Sequence, residues 1–213
     1  MSAVVELVRE RVHSTPVGEF VHMRDLVAEL GHEGAVNAAM HRTHRDEDLV
    51  LVRRGLYYKG KRTKFGTTRP DPYRVAREVA KVAGYDSGVG PSGYSAARAL
   101  GLTTQVPTTT EVSVPGRAPK DFAGVHFTSR SGVARRGLSD LEVAVLEVLR
   151  EWPRFAEDTW TGLVDRVREL VTNGELDLDA VRTVARRERH TAARKLANRL
   201  AHDITTAANP VRA

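Results

Sequence analysis

A chain of 213 residues, 41% hydrophobic and 28% charged, is long enough for two small domains and apolar enough to bury a core, which excludes a wholly disordered protein. It has no cysteine, so disulfides, thiolate metal sites and a cysteine nucleophile are excluded, and it has no run of about 20 apolar residues of the kind that spans a membrane. Glu6, Arg9, Glu10 and Arg11 interrupt the stretch where a signal peptide would be apolar, so a cytoplasmic location is expected, and a net charge of +6 suits a polyanionic partner.

Val4, Val5, Val8 and Val12 recur at helical spacing and are stopped by Pro16 and Gly18, which predicts a first helix. After the apolar pair Phe20 and Val21, the spacing of Met23, Leu26, Val27 and Leu30 predicts a second helix, ended by Gly31. From Glu33 to about Asp46, Val36, Ala39, Met40 and Thr43 line one side of a third helix, while Asn37, His41, Arg42, His44 and Arg45 share the other. Leu49–Val52 and Leu56–Tyr58 read as a hairpin reversed at Gly55, and Lys59–Arg69 as a loop or linker that closes a first domain at 1–69.

The second domain, 70–213, is expected to be mixed α/β to about residue 138 and helical beyond. Helical patterns fall over Tyr73–Ala83 and Ser92–Leu100, and strands over Glu111–Val114 and Val125–Thr128. Ser139 and Glu142 form a capping box ahead of a helix that Pro153 closes. Further helices start near Trp160, Asp177 and Thr191. The predicted class is therefore α+β: an N-terminal winged helix-turn-helix, a mixed α/β segment and a helical C-terminal portion.

In that order of elements the third helix enters a major groove and the hairpin, or wing, touches the backbone. Arg45, Arg53, Arg54, Lys59, Lys61, Arg62 and Lys64 are then expected to neutralise phosphates, while Asn37, His41 and Arg42 reach base edges. The same residues would also suit the solvated face of an ordinary helix. A second basic cluster, Arg182, Arg186, Arg187, Arg189, Arg194, Lys195 and Arg199, would suit DNA, an acidic partner or solvent equally.

Enzyme signatures are weak. Gly88–Gly93 spells a dinucleotide-site string, but no hydrophobic strand precedes it and Pro91 removes a backbone donor, so it reads as a turn into a helix. His41 and His44, with Asp48 nearby, lack the usual helical zinc spacing, and no metal or cofactor is expected. Scattered acids such as Glu142, Asp158 and Asp165 leave a nuclease as one alternative, and a protein- or RNA-interaction module as another.

The stretch Leu51–Tyr57, the block Pro91–Pro107 and the strand Glu111–Val114 resemble the AbiEi-like antitoxins of type IV toxin–antitoxin systems. The resemblance implies a non-enzymatic repressor: a winged helix, with Arg53, Arg54 and Gly55 in its wing, that binds an inverted-repeat operator in double-stranded DNA; paired half-sites would be engaged either by a homodimer or by two separate copies. It also implies a C-terminal domain that counters a nucleotidyltransferase-like toxin, without indicating which residues do so.

Overall fold

In the computed structural model, which describes residues 2–46, 49–130 and 133–208, the chain divides into two units, Met1–Asp71 and Pro72–Ala213. The fold is mixed α+β with a helical C-terminal part.

The first unit begins with α1 (Ser2–Ser14), β1 (Phe20–His22), α2 (Met23–Leu30) and α3 (Glu33–Asp46), followed by β2 (Leu49–Arg53) and β3 (Leu56–Lys59). The apolar pair Phe20 and Val21 is thus a short strand. It pairs antiparallel with β3, placing Val21 opposite Tyr57, and β2 pairs with the other edge of β3, so the strand order is β1-β3-β2. Val8 and Val12 of α1, Leu26 of α2 and Val36, Ala39 and Met40 of α3 meet Leu49 and Tyr57 of the sheet in one buried cluster. The two residues between β2 and β3 are Arg54 and Gly55. Gly55 sits at φ +79°, a conformation that costs a residue with a Cβ but not glycine, and its carbonyl accepts the Met23 amide at 2.9 Å.

Lys59–Arg69 is not an unstructured linker. It contains a second hairpin, β4 (Arg62–Thr63) and β5 (Gly66–Thr67), held by side-chain chemistry: the Thr63 hydroxyl donates to the Gly66 carbonyl at 2.7 Å and accepts the Phe65 amide at 3.1 Å.

The second unit runs α4 (Pro72–Val82), β6 (Gly90–Pro91), α5 (Gly93–Ala99), β7 (Thr110–Val114), β8 (Val125–Ser129), a 3₁₀ turn (Val133–Gly137), α6 (Asp140–Glu151), α7 (Trp160–Thr172), α8 (Leu178–Arg187) and α9 (Thr191–Ala208). Its sheet has the order β6-β7-β8, with β7 and β8 parallel and Val112 opposite Phe127. The Gly-rich string at 88–93 supplies β6. A Cβ on Gly90 would lie 2.5 Å from Cβ of Val143, so glycine here lets the strand approach α6. All side chains from Glu142 to Leu149 of α6 are buried, which makes this helix the centre of the unit. The capping box forms as its residues suggest: Ser139 accepts the Glu142 amide, and the Glu142 carboxylate accepts the Ser139 amide at 2.7 Å. No helix among the described residues is long and apolar enough to cross a membrane.

Candidate nucleic-acid interface

The periodicity of α3 sorts its side chains. Val36, Ala39, Met40 and Thr43 are buried against α1 and the sheet, which leaves Ala38, His41 and Arg42 exposed and Asn37 half-buried. Asn37 and His41 are four residues apart and therefore share a face. Arg45 lies in the last turn, and its side chain is outside the described residues, as is Asp48.

His44 does not belong to that exposed face. Its Nδ1 is 2.8 Å from the Leu49 carbonyl and its ring packs 5.7 Å from that of Tyr57, so it ties α3 to the hairpin. The His41–His44 pair is thereby separated in environment, and no three His, Asp or Glu side chains among the described residues are placed to hold one metal ion. Of the acids considered for a nuclease, Glu142 caps α6 and also accepts the Asp177 amide at 3.0 Å, while Asp165 pairs with Arg168 at 2.6 Å.

The basic residues after α3 fall into separate groups. Arg53 and Arg54 are exposed at the β2–β3 turn. Lys61, Arg62 and Lys64 follow the far end of β3, about 10 Å away along the strand at roughly 3.3 Å per residue. They belong to the β4–β5 hairpin rather than to the tip formed by Arg53 and Arg54.

Lys59, expected to face phosphate, has another task. Its half-buried ammonium donates to the Val12 carbonyl at 2.7 Å and the His13 carbonyl at 2.8 Å, satisfying two carbonyls at the C-terminal end of α1.

Sequence reasoning missed Phe65. It stands at the β4–β5 turn with 89% of its surface exposed, and the Lys64 ammonium lies 5.0 Å from its ring centroid. An aromatic within a run of Lys, Arg, Gly and Thr was the available signal. Such a tip can stack on a base or wedge between base steps while neighbouring cations hold phosphates.

A protein-family model matches residues 7–120, and its description is a family of unknown function, DUF6088. The chain belongs to this family. The DUF6088 match runs from α1 through β7, covering the first unit from residue 7 and the start of the second. No curated protein matches the chain. Among solved structures, this DUF6088 member is similar in fold to the RV2827C protein from Mycobacterium tuberculosis, with a TM-score of 0.53 and 19% identity over 94% of this chain and 76% of that one. At that identity the likeness is one of fold.

Proposed function

We propose that the chain is a sequence-specific DNA-binding repressor whose first unit is a winged helix, and that it serves as the antitoxin of a type IV toxin–antitoxin system. The observation that carries the DNA-binding reading is the strand order β1-β3-β2 behind three helices. It packs one side of α3 into the core and leaves His41 and Arg42 facing solvent, with Arg53 and Arg54 in the adjoining tight turn. An exposed helix about 10–12 Å across suits a major groove about 12 Å wide. Asn37 and His41 offer hydrogen-bonding groups to base edges, and Arg42 a bidentate donor for guanine.

The antitoxin role rests on the resemblance of Leu51–Tyr57 and Pro91–Pro107 to that family. It makes the partner of the second unit a nucleotidyltransferase-like toxin.

A mobility shift on the chain's own upstream DNA, titrated with salt, tests the first half. Wild type should prefer that duplex over random duplex by orders of magnitude, and Arg53→Ala/Arg54→Ala should bind more weakly with a salt slope shallower by about 2. Absence of preference, or an unchanged slope, would overturn the assignment. For the second half, co-expression with the neighbouring nucleotidyltransferase-like protein should restore growth, and persistent toxicity would remove the antitoxin role while leaving the DNA reading intact.

A further inference from the structure

In the second unit, six residues ring a cavity of about 250 Å³: Ser129 and Arg130 at the end of β8, Arg150 of α6, and Glu188, Arg189 and His190 at the corner between α8 and α9. Beneath it, Glu147 is fully buried and accepts from Arg130 and, at 2.6 Å, from Arg135, itself 1% exposed. Glu188 accepts from Arg135 through one oxygen and from Arg150 through the other, each at 2.6 Å. Three guanidinium groups, those of Arg130, Arg135 and Arg150, thus meet two carboxylates, and the exposed Arg189 lines the same cavity. Glu151, the next acid near Arg130, is paired with Arg154 at 3.6 Å.

A buried network that served only the scaffold would match cations with anions. This one carries excess positive charge. Two of its nitrogens, Arg135 Nη2 and Arg150 Nε, are buried without a hydrogen-bond partner among the described residues, and Arg150 lines the cavity. Burial, followed by the charge of Arg130, pushes the Arg150 guanidinium below its ordinary value, as crowding by like charges requires. His190 contributes at the same corner. Its Nδ1 accepts the Ala193 amide at 3.3 Å, which leaves the ring proton on Nε2 as a further donor, and it immediately precedes the 18-residue α9, whose N-terminal end favours anions.

We propose that Ser129, Arg130, Arg150, Arg189 and His190 form a binding site for a phosphoryl group, either inorganic phosphate or the phosphate of a nucleotide. The cavity admits a phosphate with room for part of a sugar. Both carboxylates are already neutralised, so the incoming anion meets the surplus guanidinium charge, and charge-assisted hydrogen bonds hold it.

The test is thermal unfolding of the full chain at constant ionic strength near 0.15 M, where diffuse surface attraction is screened. Replacing chloride with inorganic phosphate should raise the melting temperature saturably. Arg189→Ala, at an exposed corner outside the buried network, should fold and shift the half-saturating phosphate concentration up by about tenfold, the loss of one charge-assisted contact. Lys195→Ala, which removes the same charge from an exposed position of α9 outside the cavity lining, should leave that concentration unchanged. A nucleoside monophosphate that binds more tightly than phosphate assigns the site to nucleotides, and equal binding assigns it to free phosphate. Equal melting temperatures in phosphate and chloride, or an Arg189→Ala response identical to wild type, would overturn the proposal.

Discussion

Glu147 shows how much one residue can carry. Burial pushes its carboxyl up, but the hydrogen bond from Arg130 and the charges of Arg135 and Arg130 together outweigh this and hold it below its ordinary value. A carboxyl depressed in the folded state contributes stability that is fully present above its unfolded value, about 4.3, and is lost as pH falls through the lower folded value. Glu147→Gln leaves Arg130 and Arg135 without that partner and should lower stability by about 3–5 kcal/mol in urea unfolding at neutral pH. The variant should also lack the part of the acid-induced loss that wild type shows below about pH 4; parallel acid profiles would show that other carboxyls dominate. Lys59 calls for a contrasting experiment. Because its ammonium caps α1, Lys59→Met should cost about 1 kcal/mol of stability and leave the salt slope of DNA binding unchanged, whereas a slope shallower by about 1 would return Lys59 to the phosphate contacts.

At the scale of elements, α3 and the β4–β5 hairpin present different surfaces: polar and basic groups on the first, an exposed aromatic ring on the second. Phe65→Ala removes the exposed ring without touching the Thr63 bonds that shape its turn. If the ring stacks on or wedges between bases, DNA affinity should fall by about 1–3 kcal/mol with the salt slope intact, since no phosphate contact is lost. Equal affinities of wild type and variant in a mobility shift would remove Phe65 from the interface. At the other end of the chain, Ser139→Ala should destabilise by about 1 kcal/mol, measured by urea unfolding, because the Glu142 amide loses its cap. These elements also differ in how plainly the residues announced them. The buried stripe of α3 and the α6 capping box depend on neighbours three and four positions apart, and both were legible. The β4–β5 hairpin has almost no apolar alternation and is held by backbone pairing and the hydroxyls of Thr63 and Thr68, so periodicity could not reveal it. His44 occupies a position that spacing assigns to the solvent face, yet the Leu49 carbonyl and Tyr57 draw it inward. The ion network joins Arg135 to residues 12 and 53 positions away, and parallel β7 and β8 pair across an irregular connection; no local pattern encodes either.

Over the whole molecule, charge is distributed in a way that the net value of +6 conceals. Residues 1–48 contain nine Asp and Glu against five Lys and Arg, whereas residues 49–69 contain seven Lys and Arg and no acid. The first unit therefore places an acidic helical portion in series with a strongly basic hairpin region, so that if DNA binds here the phosphate contacts fall mainly to the latter, leaving the exposed face of α3 to the base edges. The second unit has its own basic residues, but several are engaged: Arg182 pairs with Asp179 at 2.9 Å, and Arg199 pairs with Asp203 and lies 4.4 Å from the Trp160 ring centroid. If residues 49–69 supply the phosphate contacts, a polypeptide of residues 1–71, which contains the complete cluster around Val36 and Met40, should bind the operator with the same salt slope as the full chain. Its folding is checked first by circular dichroism, because a 71-residue unit has a small core and limited stability. With a folded fragment in hand, matching slopes assign operator recognition to the first unit. A full-chain slope steeper by one or more instead brings cations of the second unit onto the DNA, among which Arg186, Arg187 and Lys195 are exposed on α8 and α9 and would be the first to substitute.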